Sequence, residues 1–379
     1  MGELHALVMG ASGSAGWALV DELLKGYGDF GSVSALVNRP LTLEVAGWTP
    51  SADCSLQIIS AVDLTRAGDD WCHRVDNISK ISHIFNAAFK QEDDPAEEFR
   101  VNREMIANFS QALNAHCPRL EMFVQCAGAR YYQRQCTPDI EEPLQAPFRE
   151  HMIERASPEV RSGVVYYAVR TALQEACASK DWSFCEIVPD AIISFAPSGS
   201  TCATQILSAT WLATYAAKEG KGARVAYPGT DVSYRAKFNG VSGRTLAREM
   251  IWAGMQPKET AGGQVFNVAD SNTPSTMSEL FPRLAAYFGL EAGGPPADMA
   301  SIEMPSAYVE RHGRVLDAMG VQRAAIWKAP WLDVYGTMYT YDRHISLDKV
   351  REAGFVEERD PLEGWLEVFD RMKAARMLP

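Results

Sequence analysis

No stretch of this 379-residue chain reaches the roughly 18 unbroken apolar residues of a membrane-crossing helix, so a spanning protein is not expected. Runs of lysine and arginine are also missing. The formal charge of −12 comes from acids scattered along the chain, which argues against nucleic acid as a partner. None of the eight cysteines (54, 72, 117, 126, 136, 177, 185 and 202) stands in a CxxC pair, and no histidines stand at metal-ligand spacing. The cysteines therefore read as free thiols of a reducing compartment, and no metal is expected. Cys126 and Cys136 fall close to the candidate site described below, and reactivity there would require a depressed thiol pKa. The opening "MGELHALVMGASG" enters a strand at once, without a charged leader and small-residue cleavage site, so the expected location is cytoplasmic. Ala6 stands where a myristoylation motif needs Ser or Thr, which argues against lipidation at Gly2. Internal repeats and low-complexity linkers are absent too, and "GGPPAD" near Gly293 is the best candidate for a flexible surface loop.

What is present is a globular composition, 47% hydrophobic and 22% charged, in a chain long enough for one large core or two lobes sharing a cleft. "LHALVMGASGSAGWALVDELLKG" reads as an apolar strand, a glycine turn and an amphipathic helix whose buried face holds Trp17, Leu19, Val20, Leu23 and Leu24. The turn has Gly10, Gly13 and Gly16 in GxxGxxG spacing, with Ser12, Ser14 and Ala15 between them. Glycines there let backbone amides approach a pyrophosphate at the helix N-terminus, and the strand-turn-helix context supports dinucleotide binding. The second strand, "SVSALVNRP", ends in Asn38 and Arg39 where an NAD-binding chain would place an acid on the ribose. A guanidinium pairs with a 2′-phosphate, so these residues favour NADP(H). "LQIISAVDLT" and "ISHIFNAAF" supply two further strands, placing Asp63 and Ala87 at carboxyl ends, where ligands of an open α/β sheet gather. A helical pattern over Pro95–Ala115 leads to the strand "LEMFVQCAGAR". The alternation predicts a doubly wound parallel sheet, a Rossmann domain over residues 1–195 with segments returning from about 230–270. A smaller, mostly helical substrate lobe is expected over 196–379.

The stretch "SGVVYYAVRTALQE", Ser162 to Glu175, opens a helix with two tyrosines but carries no lysine four residues beyond either. Tyr166 is followed at that spacing by Arg170, on the same helical face. Tyr167 lies about 100° further around the helix, so the two rings need not face the same way.

With these pieces in order, the chain resembles the extended short-chain dehydrogenase/reductases. More narrowly, it resembles the progesterone 5β-reductase and iridoid synthase group, the PRISE enone reductases. The resemblance runs nearly end to end through the glycine turn, "HIFNAAF", "CAGARYY", "VVYYAVRTA", "WSFCEIVPDAIISFAP", "YPGT", "GGQVFNVADSNTPSTMSEL" and "ISLDKVREAGFVEERDPLEGW". It implies an NADPH cofactor in the first lobe and a small apolar carbonyl substrate under the second. The family's lysine near the fifth strand falls on Arg130. The second tyrosine of its "NFYYxxED" helix falls on Tyr167, so the missing YxxxK lysine is expected in this group. Val164 and Val165 replace the family's Asn and Phe, Arg170 and Thr171 its Glu and Asp, and Val188 an Arg before Pro189. Pro189 and the following "DAII", with Ile192, are expected to pass the nicotinamide.

An arginine stays protonated, so Arg130 would act electrostatically on the oxygen that gains charge when hydride adds to an enone or enal. The leading expectation is thus NADPH-dependent reduction of a conjugated carbonyl through Tyr167 and Arg130. Carbonyl reduction through Tyr166 and Arg170 is the alternative, and a non-redox enolate cyclase or isomerase and a non-catalytic NADP(H) sensor stay open. Trp327, Trp331, Tyr335, Met338, Tyr339 and Tyr341 are candidates for an aromatic roof over the substrate, or for plain core. A homodimer is an option the sequence leaves open.

Overall fold

The computed structural model describes residues 4–136, 143–197, 204–298, 303–322, 333 and 339–379. In chain order its strands are β1 (Leu4–Met9), β2 (Phe30–Leu36), β3 (Ser55–Ile59), β4 (His83–Asn86), β5 (Met122–Cys126), β6 (Ser183–Pro189), β7 (Ala191–Ile193), β8 (Arg224–Ala226), β9 (Gly240–Ser242), β10 (Val265–Val268) and β11 (Glu291–Gly293). Seven of them form one parallel sheet in the order β10-β6-β5-β4-β1-β2-β3. Both faces are covered, so the central strands read as nearly continuous apolar runs. In β1 the alternation of a pleated strand still sorts the side chains. Ala6 and Val8 join the core on one face of the sheet, and Leu7 and Met9 the core on the other.

The first of these cores is built from the helix Ser14–Leu24, which follows the glycine turn, and the helix Gly243–Met255 packed against it. Every residue of Ser14–Leu24 is buried, including Asp21 and Glu22. The latter accept from Lys25, Arg248 and Arg371, ion pairs that hold the C-terminal helix Pro361–Ala374 and the Gly243–Met255 helix around this one. The second core lies under the paired helices Pro95–His116 and Val165–Cys177, the latter carrying both tyrosines. Pro95 opens the long helix at a position where its missing N–H costs nothing, and the Asp94 carboxylate accepts from the Ala96 amide.

After β6 the chain leaves the sheet. The helix Thr204–Glu219 packs with Pro305–His312, β8 pairs with β11, and β7 pairs with β9. It returns through the Gly243–Met255 helix and β10, which extends the sheet beside β6. The helices Met277–Tyr287 and Pro361–Ala374 then close the second lobe. The order in which successive strands are added reverses between β1 and β4. That places a crevice at the carboxyl ends of these two strands, beside Gly10 and Ala87.

Candidate active site

The glycine turn is shaped by close backbone approach. Gly10 has φ +71°, and a Cβ on it would lie 2.7 Å from the Ala88 amide nitrogen. A Cβ on Gly16 would lie 2.3 Å from the Gly10 carbonyl oxygen. Either side chain would force the β1 turn away from β4 or the helix away from the turn. At Gly13 the only neighbour of an added Cβ is the Gly10 oxygen at 3.4 Å, so the space above the turn is open. The helix begins at Ser14, and among the described residues no side chain caps its first amides. Open space over uncapped helix amides fits an anionic group, and the residues present suit a dinucleotide pyrophosphate. Around the turn, Ser12 is half-buried and Ser14, Ala15 and Gly16 are buried. The Ser14 carbonyl accepts from Ser194 Oγ at 2.9 Å, which ties the turn to the segment after β7.

Asn38 and Arg39 are exposed just beyond β2. Next to them the Val62 amide donates to the Val37 carbonyl at 3.1 Å, so Asp63 lies beside the β2 end, exposed. One Asp63 oxygen is taken up by the Thr65 amide and hydroxyl, at 3.1 and 2.7 Å. At the β4 end, the Ala87 amide donates to the Met9 carbonyl. Asn86 fixes the turn that follows: its amide donates to Gln125 Oε1 at 2.7 Å while its oxygen accepts from the Ala88 amide at 2.9 Å. Asn102, on the long helix, holds Lys90 by both backbone groups.

Beyond β5, the amides of Ala127 and Ala129 donate to the carbonyls of Ile187 and Pro189, which pins the β5 and β6 exits together. Arg130 follows, its guanidinium 2.8 Å from the carboxylate of Glu98; Arg130 is half exposed and Glu98 is buried. The two tyrosines point to different places. The Tyr166 hydroxyl lies against Gly128, where an added Cβ would come within 2.6 Å of it. Its ring neighbours are Phe89, after β4, at 6.4 Å and Tyr131 at 5.4 Å. Tyr166 therefore reaches the crevice edge between the β4 and β5 exits. Tyr167, the residue on which the family resemblance places the reactive hydroxyl, is buried and donates to the Ile153 carbonyl at 2.8 Å. Burial pushes its hydroxyl up to about 12.

Arg170 does not project toward the crevice either. Its Nε meets the buried Glu186 at 2.5 Å and its Nη1 meets Glu154 at 2.6 Å, while its guanidinium lies over the Tyr131 ring at 4.9 Å. Tyr131 completes the cluster by donating to the other Glu186 oxygen at 2.7 Å. Burial pushes the Glu186 carboxyl up, opposed by the Arg170 guanidinium and the Tyr131 hydroxyl. Cys136 donates to the Tyr132 and Leu144 carbonyls, and burial pushes its thiol up to about 11, the reverse of the depressed value that reactivity needs.

Pro189 ends β6, and Ile192 lies in β7 at the wall of a cavity in the second lobe that is open at its mouth. Between them, the Asp190 carboxylate accepts from Gln133 at 3.0 Å and pairs with Arg343 at 3.0 Å, which joins the β5 exit to the C-terminal segment. Val188, where the family has Arg, is fully buried opposite Asn267 of β10, so no charge fits there. Of the proposed aromatic roof, Tyr339 and Tyr341 pack together and Arg343 lies over the Tyr339 ring. Trp327, Trp331, Tyr335 and Met338 lie outside the described residues, as does Cys202.

A parallel sheet in this order, with a glycine turn at its switch point and a tyrosine at the next crevice edge, defines a Rossmann-type nucleotide-binding domain. Residues 6–379 match the family model of the PRISE-like Rossmann-fold domain, and the chain belongs to that family. It is similar to the short chain dehydrogenase ausT of Aspergillus calidoustus, 28% identical over 99% of this chain and 94% of that protein. The (S)-8-oxocitronellyl enol synthase of Antirrhinum majus is 23% identical over 82% of this chain and 78% of its own length. Among solved structures, Gre2 from Candida albicans in complex with NADPH shares the fold, with a TM-score of 0.59 at 14% identity over 98% of this chain and 99% of that one.

Proposed function

We propose that this chain is an NADPH-dependent reductase of a conjugated carbonyl, with Tyr166 rather than Tyr167 as its hydrogen-bond donor. Its family and its relatives named short chain dehydrogenases make it an oxidoreductase of the extended short-chain type. The observation that carries the finer reading is the position of the Tyr166 hydroxyl over Gly128, at the crevice edge, while the Tyr167 hydroxyl is held by Ile153. A relative named as an enol synthase supports chemistry in which charge develops on a carbonyl oxygen. The open space over Gly13 and the uncapped amides after it would hold the pyrophosphate of NADPH, and Arg39 its 2′-phosphate.

NADPH, when bound, would supply the hydride that reduces the β-carbon of an enone or enal. Tyr166 donates a hydrogen bond to the carbonyl oxygen and holds it as negative charge accumulates there, which lowers the barrier without a full proton transfer. Arg130, two residues after Gly128, adds positive potential at the same edge, tempered by its pairing with Glu98. The proton that completes the reaction enters at carbon from solvent, so a permanently protonated arginine is no handicap. The alternative pairing of Tyr166 with Arg170 loses support because Arg170 is engaged by Glu186 and Glu154. Turnover of NADPH with an enone, compared across the two tyrosine-to-phenylalanine variants, tests the reading. A larger loss for Tyr167→Phe would refute it.

A further inference from the structure

The cavity beyond Ile192 is lined by Leu212, Trp211, Phe281 and Trp365, which explains an apolar occupant but not its orientation. Two polar features of that wall bear on orientation and charge. Gln205, in the first turn of the Thr204–Glu219 helix, is 0% exposed and lines the cavity. Its Nε2 donates to the Ser194 carbonyl at 2.5 Å. That bond settles which end of the amide is which, because only the nitrogen can face a carbonyl. Among the described residues the Oε1 that remains has no donor. A buried acceptor left without a donor is costly, and in a site that opens to ligand the missing donor belongs to the ligand.

The second feature is charge. Among the described lining residues Arg343 is the only cation, and the buried Asp190 carboxylate 3.0 Å from its Nε compensates it. Its guanidinium is further held over Phe238 at 4.7 Å and Tyr339 at 4.2 Å. Asp333, also on the wall, accepts from the Ser306 amide and hydroxyl and adds a negative charge. Such a lining has no net positive charge to offer a nucleoside diphosphate, a coenzyme A thioester or a carboxylate. We infer that this cavity selects a neutral, largely apolar substrate that presents a hydroxyl or N–H group to Gln205 Oε1. The inference rests on the reductase reading and narrows its substrate class.

The test uses cofactor-free protein and three probes of one shape: 4-phenylphenol, 4-methoxybiphenyl and biphenyl-4-carboxylate, titrated by calorimetry. The phenol should bind about 5- to 150-fold more tightly than the ether, the range expected when a buried acceptor gains or lacks its donor. The carboxylate should bind more weakly than the phenol. Gln205→Met should remove the difference between phenol and ether. Ser208→Trp, at a half-buried position on the same wall, should weaken both and does not depend on the Gln205 variant folding. Equal affinities in the unmodified protein, absence of phenol binding, tightest binding of the carboxylate, or indifference to Ser208→Trp would each overturn the inference. Because no nicotinamide is present, that failure would leave NADPH turnover standing, whereas a protein that passes this test and never consumes NADPH would fail as a reductase alone.

Discussion

Arg170→Met offers a quantitative check on the buried cluster beneath the tyrosines. The substitution keeps most of the side-chain volume and removes the charge that faces Glu186, which sits on β6 with 1% of its side chain exposed. Removing one partner of a buried ion pair costs about 3–5 kcal/mol, since the other charge stays behind in a poor solvent. Glu186 keeps the hydrogen bond from Tyr131 and can take up a proton, which puts the expected loss near the lower end, about 3 kcal/mol. Protonation also fixes the sign of the pH dependence. With Arg170 gone, the folded-state pKa of Glu186 rises further, so the variant's deficit is smallest in acid and grows as pH climbs through that value. Adding Glu186→Gln removes the stranded charge while leaving an acceptor for Tyr131, and should recover about half of the loss. Urea unfolding of the parent, both single variants and the double variant at pH 5.5 and pH 8 reads all three effects. A loss below about 1 kcal/mol, or a double variant as unstable as the sum of its parts, would refute the idea that this pair is a coupled buried unit. Unchanged stability with collapsed turnover would instead restore Arg170 to the catalytic centre.

Other expectations can be checked alongside. NADPH should bind at least about tenfold more tightly than NADH, and Arg39→Asp should narrow or invert that preference in equilibrium titrations. Arg130→Ala should leave NADPH affinity nearly unchanged and lower turnover by about 10²-fold; lost affinity with intact turnover would make Arg130 a phosphate ligand. Burial holds the His83 imidazole down to about 4, against the Gly254 carbonyl that raises it. Its stabilising contribution is therefore full above the unfolded value near 6.5 and is lost as pH falls through about 4, a swing of roughly 3 kcal/mol that His83→Phe should remove from the acid limb of a stability profile.

The periodic features of the sheet were legible because they are local. The apolar runs of β1, β2, β4 and β5, the glycine turn and the long helix at Pro95–His116 all follow from spacing within a few residues. Where each tyrosine hydroxyl points was not legible, because two adjacent side chains on one helix are separated only by what the rest of the fold brings to them. Gly128 meets Tyr166 and the Ile153 carbonyl meets Tyr167, and nothing within the helix encodes that choice. Glu98, Glu186, Asp190, Gln205 and Arg343 were missed for a related reason. Polar residues are expected at the surface, and these are buried by partners distant in sequence, such as Arg343 for Asp190. The faint signal for Glu186 was its place inside an otherwise apolar strand, "FCEIVP", where a lone acid needs a buried partner.

The central claim is that Tyr166 polarises a conjugated carbonyl for reduction by NADPH. It is tested most directly by following NADPH consumption with 4-phenylbut-3-en-2-one and identifying the product, in the parent protein and in Tyr166→Phe and Tyr167→Phe. Steady consumption is expected, with 4-phenylbutan-2-one as product, the C=C reduced and the carbonyl kept. Tyr166→Phe should lose about 10²- to 10³-fold, the usual cost of removing an oxyanion donor. Tyr167→Phe should change turnover only a few-fold, with about 1 kcal/mol less stability. An allylic alcohol as product, no NADPH consumption in the parent, or a greater loss from Tyr167→Phe than from Tyr166→Phe would contradict it.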